Sequence, residues 1–371
     1  MLNTLITVFN TLITVVVTVL MLGFLVLIHE GGHYLVARAC GVGIMEFAIG
    51  MGPVIYRKKG KYNDFTIRLL PIGGFVSMIG EDDQTEIPEE HQGKPSLNEK
   101  KVWQKMLIVL AGPVMNIILG VLITAGLVVG TDVIGSTTVA QLIDEEKSKE
   151  TGLPVNTSGQ YGLQVNDKII EINGKNIYVY YDLAYYLSTA AHEPVDITVE
   201  RDGKEVLLED VCFPVEEMDG IKYGGMDFLV FRKAKTFGNV CYEVFWQPIS
   251  TVRTTVQGLI DTLMGRYGLA GVSGVVGMGE VMNEVISTGE SFKQTAEQIL
   301  NIMVLITMSL GIFNLIPLPA LDGGRLLIYA IEGIIGRRLP QKAVTIAIGI
   351  SMALLLLLMV LVTFKDIINL F

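Results

Sequence analysis

The sequence predicts an α-helical membrane protein with four transmembrane helices, a membrane-associated β element and an inserted extracytoplasmic α/β module. Three observations carry this. Half of the 371 residues are apolar and only 18% are charged, against about 25% charge in an ordinary soluble domain. The missing charge is concentrated in a few runs long enough to cross a bilayer. Between those runs the polarity is ordinary, which excludes a simple soluble enzyme, a disordered chain and a plain bundle of spans. The net charge of −10 and pI near 5.0 exclude a nucleic-acid partner. Cys40, Cys212 and Cys241 form neither a disulfide framework nor a zinc-knuckle spacing.

Each element follows in order. A spanning helix needs about 20 mainly apolar residues. Residues 1–39 form the first transmembrane helix, with no charge at all from 5 to 28. A cleaved signal peptide is not expected, since the run is long, has no basic leader and meets no small-residue cleavage site. Residues 40–104 form a cytoplasmic-side, membrane-associated β region and loop. There Phe47 to Pro53, a basic turn near Lys59, a strand at 65–70 and Pro71 to Val76 read as β elements. Open sheet edges cannot face lipid, so these have to lie against protein. Residues 105–130 form the second transmembrane helix, entered through the interfacial Trp103 and Lys105. Residues 131–215 form the α/β module, where 168–172 alternates as a strand and Asn173-Gly174 signals a turn. Residues 216–297 read as an amphipathic helical extracytoplasmic region broken by glycines between Gly271 and Gly279. Residues 298–335 hold the third transmembrane helix, and 341–365 the fourth.

Orientation follows from the basic residues. Residues 34–101 hold nine lysines and arginines, including Arg57, Lys58 and Lys59. The short third link holds Arg325, Arg337, Arg338 and Lys342, and the N-terminal flank holds none. The positive-inside rule places both links in the cytoplasm and both termini outside. Residues 131–298 then lie outside the cell membrane, with 25 acidic residues against 13 basic ones.

The chemistry concentrates in His29-Glu30-Gly31-Gly32-His33. Residues i and i+4 share one helix face, so His29 and His33 can both point at one ion. Zinc suits such a donor set. Glu30 flanks the ion without ligating it and can move a proton between water and a leaving amine. A surface helix with incidental histidines is the bland alternative, but ionisable residues at the end of a spanning helix are costly unless functional. Gly31 and Gly32 admit two accounts: close helix packing through small residues, or close approach of substrate backbone.

A third ligand is needed, and Asp322 is the best candidate. The first and third spans both run from outside to inside, so His29 and Asp322 fall at similar depth near the cytoplasmic side. Pro317 and Pro319 break the third helix there and free backbone groups that need a polar cavity. The competing role for Asp322 is a helix N-cap, and Glu46 and Glu332 are rival ligands. Asn116 reads as a helix-packing amide. Asn314 can bind substrate backbone or steady an oxyanion.

These residues resemble the site-2 protease family. The matching stretches are His29-Glu30-x-x-His33, Gly112-Pro113-x-x-Asn116 and Asn314-x-x-Pro317-x-Pro319-x-Leu321-Asp322-Gly323. Glu46-Phe47-x-x-Gly50-x-Gly52-Pro53, Pro71-x-Gly73-Gly74-Phe75-Val76 and Lys101-x-Trp103-Gln104-Lys105 narrow the resemblance to the bacterial regulator-of-sigma-E protease branch. It implies an intramembrane zinc metalloprotease with a Zn2+ cofactor. Its substrates are single-pass membrane proteins, typically anti-sigma factors already trimmed outside and remnant signal peptides, cut within or near the transmembrane segment in regulated intramembrane proteolysis. It implies His29, His33 and Asp322 as metal ligands and Glu30 as catalytic base. It implies that the strand of Gly73, Gly74, Phe75 and Val76 pairs with unwound substrate, as in β-augmentation. Gly162-Leu163 through Asn173-Gly174-Lys175 is similar to the family's PDZ-like module, so the inserted α/β module is expected to be PDZ-like. Two departures stand out: there is room for one such module rather than two, and Ser273-Gly274-Val275-Val276 replaces the family's Ser-Gly-Pro-Val. Two other functions compete. A non-proteolytic membrane adaptor would act through the PDZ-like module. A zinc transporter would need ionisable residues along a crossing path, and the spans offer one site at one depth.

Overall fold

The computed structural model describes residues 2–81, 87–88, 91–218, 220–266, 274–289 and 291–369. Ser273 of the departing motif and the glycine at 271 lie outside the described residues. The chain divides into two compact units, Met1–Leu122 with Ser273–Phe371, and Ile123–Val272.

The first unit opens with α1 (Leu2–Ala39), whose 38 residues reach past the apolar run and carry the metal-type motif in their last turns. A hairpin follows, β1 (Ile44–Lys59) and β2 (Asp64–Met78). Both strands fold back on themselves. Residues 44–49 pair with 74–78 on one side, 46–49 pair with 64–67 on the other, and 54–59 pair with 64–68. The result is a small sheet of four strand segments in which residues 74–78 form an edge, with no strand on their outer side among the described residues. Phe47, Val76, Met78 and Ile44 pack it against Ala37 of α1 and Ile108 of the next helix.

That helix is α2 (Val102–Gly130), with Pro113 in its interior. The proline lacks the N–H that would bond back to Val109, and its ring pushes on the preceding turn. Among the described residues four helices are long and apolar enough to cross a membrane: Phe9–Ala39, Val102–Gly130, Phe292–Asn314 and Gln341–Ile368. This is a membrane protein with several apolar helices and a β element.

The second unit continues with β3 (Ile134–Leu142), α3 (Glu145–Thr151), β4 (Lys168–Ile172), β5 (Lys175–Asn176) and α4 (Tyr180–Ala190). Then come β6 (Val195–Arg201), β7 (Lys204–Val211), the hairpin β8 (Val215–Met218) with β9 (Ile221–Gly224), and β10 (Phe228–Lys233). The sheet runs β10-β3-β4-β6-β7, with β5 beside β4. Its pairs are antiparallel. Alternating residues Ile169, Ile197, Val199 and Val211 meet Leu183 and Leu187 of α4 in one core. Asp167 is fully buried and is held by Arg201 at 2.7 Å.

Here the structure corrects the sequence boundaries. The stretch 216–297, read as helical, begins with β8, β9 and β10. β10 belongs to the module's sheet because it closes against β3, the module's first strand. A pairing between distant strands leaves no local periodicity to read. The helical part starts at α5 (Phe237–Leu263), where the helical amphipathic pattern of the sequence begins. Its inward face is polar, with Glu243, Ser250, Thr251 and Thr254 buried. Ser250 Oγ donates to Asp182 at 2.8 Å. Burial pushes the Glu243 carboxyl above its ordinary value, and Lys233 at 2.9 Å offsets part of that.

Back in the first unit lie α6 (Val275–Thr288), α7 (Phe292–Asn314), α8 (Asp322–Ile335) and α9 (Gln341–Asn369). The stretch 298–335 holds the end of one apolar helix and a second helix, with the break at the two prolines that the sequence marks. Pro317 and Pro319 lie in the break, where neither can donate to a continuing helix. Asp366 of α9 accepts from Gly274 N at 2.8 Å and Gly277 N at 3.1 Å, which caps α6.

Candidate metal centre

His29 and His33 lie one turn apart near the end of α1, both buried. Their Nε2 atoms are 3.3 Å apart. Asp322 opens α8 and brings Oδ2 to 3.2 Å from His29 Nε2 and 3.3 Å from His33 Nε2. The three donors form a near-equilateral triangle. An edge of about 3.3 Å is what tetrahedral bonds of about 2.0–2.1 Å produce. Asp322 Oδ2 is buried and has no aligned hydrogen-bond donor. Two imidazoles and an orphaned carboxylate oxygen fit a zinc-type cation. Among the described residues this is the cluster able to hold a metal ion.

The surroundings explain how the triangle forms. His33 Nδ1 donates to the Ile108 carbonyl at 2.8 Å. That oxygen lies one residue before Val109, in the turn that Pro113 disturbs. Gly112 faces both rings, where an added Cβ would lie 2.3 Å from His33 Nε2 and 2.9 Å from His29 Cε1. Gly112→Ala is therefore expected to push the imidazoles off the triangle and lower zinc content in the purified protein by about 10-fold or more, since metal sites tolerate only about 0.2 Å of error. Metal analysis of wild type and variant checks this; equal zinc content would refute it.

The two accounts of the glycine pair separate. A Cβ on Gly32 would lie 2.4 Å from the Ala111 carbonyl oxygen, so this glycine lets α1 and α2 touch. A Cβ on Gly31 would meet nothing within 4 Å. Asp322 is not an N-cap: Leu321 occupies that position and the aspartate is the first helical residue. The rival carboxylates are engaged elsewhere. Glu46 accepts from Thr66 Oγ1 and from Arg68 at 2.7 Å. Glu332 accepts from Leu339 N at 2.9 Å.

A cavity of about 210 Å³ adjoins the triangle, lined by Glu30, Phe75, Val76, Glu81 and Arg325 among others. That is room for several waters, at about 30 Å³ each in the liquid. Phe75 and Val76 belong to the edge of β2 that pairs with no further strand among the described residues. A Cβ on Gly74 would lie 3.5 Å from Glu30 Cγ, so this strand runs beside the glutamate. Gly73 and Asn314 are not among the lining residues; Asn314 is the last residue of α7. Sequence reasoning missed three features. Arg325, counted only for topology, lines the cavity and pairs with Glu81. Gly112 supports the imidazoles. Asn116, read as a packing amide, lies 3.1 Å from His29 Nδ1.

A sequence profile of peptidase family M50 matches residues 17–358. The chain belongs to peptidase family M50. A relative from Clostridium perfringens, named as a zinc metalloprotease, is 30% identical over 344 residues, covering 93% of this chain and 95% of its own. One from Clostridium acetobutylicum, with a similar name, is 28% identical over 95% of this chain and 97% of its own. The metalloprotease MmpA of Caulobacter vibrioides is 29% identical over 94% of this chain and 93% of its own. This M50 peptidase therefore resembles its relatives along nearly its whole length.

Proposed function

We propose that this chain is an intramembrane zinc metalloprotease that hydrolyses peptide bonds in or near the transmembrane segment of single-pass membrane proteins. The M50 family and the zinc metalloprotease names of its relatives support the enzyme class and the metal. The observation that carries the site is the triangle of His29, His33 and Asp322 beside Glu30 and the edge of β2.

His29, His33 and Asp322 would hold the ion. When bound, zinc supplies Lewis acidity that polarises a carbonyl and makes water nucleophilic near neutral pH. Glu30 takes a proton from the attacking water and returns it to the leaving amine nitrogen. Helical substrate has no exposed carbonyl, so it must unwind first. The outer edge of 74–78 binds it as an added strand, through backbone hydrogen bonds that carry no sequence preference. Phe75 and Val76 bury apolar substrate side chains beside Glu30. This supports substrates of the anti-sigma-factor type and signal-peptide remnants, which are apolar and single-pass.

The basic residues of 34–101 and of the third link support an orientation with the metal centre near the cytoplasmic side and both termini outside. The module within 131–233 is then extracytoplasmic. Its sheet, its helix α4 and the groove between α4 and β10 support a PDZ-like reading.

The test uses the full chain in lipid vesicles with a trimmed single-pass substrate. Cleavage stops with a zinc chelator and returns on adding zinc. Cleavage that continues in the chelator overturns the metal-dependent reading. A chain that never cleaves but still retains partners through its module, with or without chelator, establishes the adaptor instead.

A further inference from the structure

Asn116 is fully buried on α2. Its backbone carbonyl accepts from Thr307 Oγ1 at 3.0 Å, which ties this turn of α2 to α7. Its side chain does something else. Nδ2 lies 3.1 Å from His29 Nδ1, and Oδ1 is buried with no hydrogen-bond partner.

The two histidines face the same problem. A neutral imidazole carries one proton, and the bare nitrogen is the one that can ligate. In His33 the Ile108 carbonyl takes the Nδ1–H, so the lone pair of Nε2 faces Asp322. His29 also directs Nε2 into the triangle, so its proton has to sit on Nδ1 and needs an acceptor there. The group facing His29 Nδ1 is the Asn116 carboxamide, which offers a donor and an acceptor half a turn apart. With Nδ2 inward it suits the tautomer whose Nε2–H points at Asp322. With Oδ1 inward it suits the ligating tautomer.

We propose that Asn116 is a positioning residue for metal binding: its carboxamide oxygen accepts the Nδ1–H of His29 and holds that ring in the tautomer and rotation that ligation needs. Such outer partners fix ligand orientation, and losing one typically weakens metal affinity by about 10–100-fold. A packing role alone would accept leucine, which nearly matches asparagine in shape and offers no acceptor. The inference rests on the reading of His29 as a ligand.

The test compares Asn116→Leu and Asn116→Asp with wild type and with His29→Ala, as full-length protein in detergent. Zinc affinity is read by competition with a chromophoric chelator, and site geometry by the visible spectrum of the cobalt-loaded protein. Asn116→Leu binds zinc about 10–100-fold more weakly and its cobalt spectrum changes. Asn116→Asp, whose carboxylate accepts the same proton, stays close to wild type. Leucine matching wild type, or aspartate binding as weakly as leucine, overturns the proposal. If His29→Ala binds zinc as wild type does, it is the ligand reading that fails. Unfolding temperatures of the metal-free proteins check folding; where leucine lowers them, Asn116→Ala replaces it with the same expected loss.

Discussion

Glu30→Gln is expected to retain zinc and lose peptide-bond cleavage by about 10²–10⁴-fold, the usual share of a general base. The amide keeps the shape of the carboxylate and cannot take a proton from water. The glutamate lines the cavity and contributes no atom to the triangle of His29, His33 and Asp322, so metal content should not follow activity down. The measurement is zinc analysis of the purified variant beside cleavage of a co-expressed single-pass substrate. Single-pass proteins that accumulate as trimmed stumps in membranes carrying the variant would identify natural substrates. Undiminished cleavage would remove Glu30 as the base. Loss of zinc together with activity would instead mean that the glutamate holds the site in shape.

Asp322→Asn is expected to lose both. The carboxylate is the one anion in the triangle, and its Oδ2 lies within 3.3 Å of both imidazole nitrogens. An amide oxygen is a weaker, uncharged donor. The loss of zinc affinity should exceed the roughly 10–100-fold that outer-shell partners cost. Chelator competition measures it, and His33→Ala supplies a reference for a missing ligand. Unchanged affinity would move the third ligand elsewhere. Glu46 and Glu332 are poor replacements, since Arg68 and the Leu339 amide already engage them.

Much of the candidate site was legible in the chain. His29 and His33 are four residues apart on a helix, so their shared face is a local property. Asp322 was legible less directly, through matching depths in two spans and the two prolines that interrupt the second of them. The alternative N-cap role needed the structure to decide, because capping depends on which residue first turns helical, and that is Asp322 itself. Asn314 shows the converse. An amide in an apolar helix marks a buried polar contact without saying with what, and this one stays off the cavity while Asn116 reaches His29.

The sequence by itself determined the class of molecule, its four apolar helices, the turns of its inserted module and the paired histidines. These are properties of neighbours in the chain: unbroken apolar length, a period of 3.6 or 2, and residues a few positions apart. Only the tertiary structure decided that β10 closes on β3, that Gly112 lies under both imidazoles, that Arg325 and Glu81 border the cavity, and that the Asn116 side chain reaches His29. Each of these is a contact between residues far apart in the chain. Such contacts are set by how closely packed surfaces meet, and local periodicity carries no record of that.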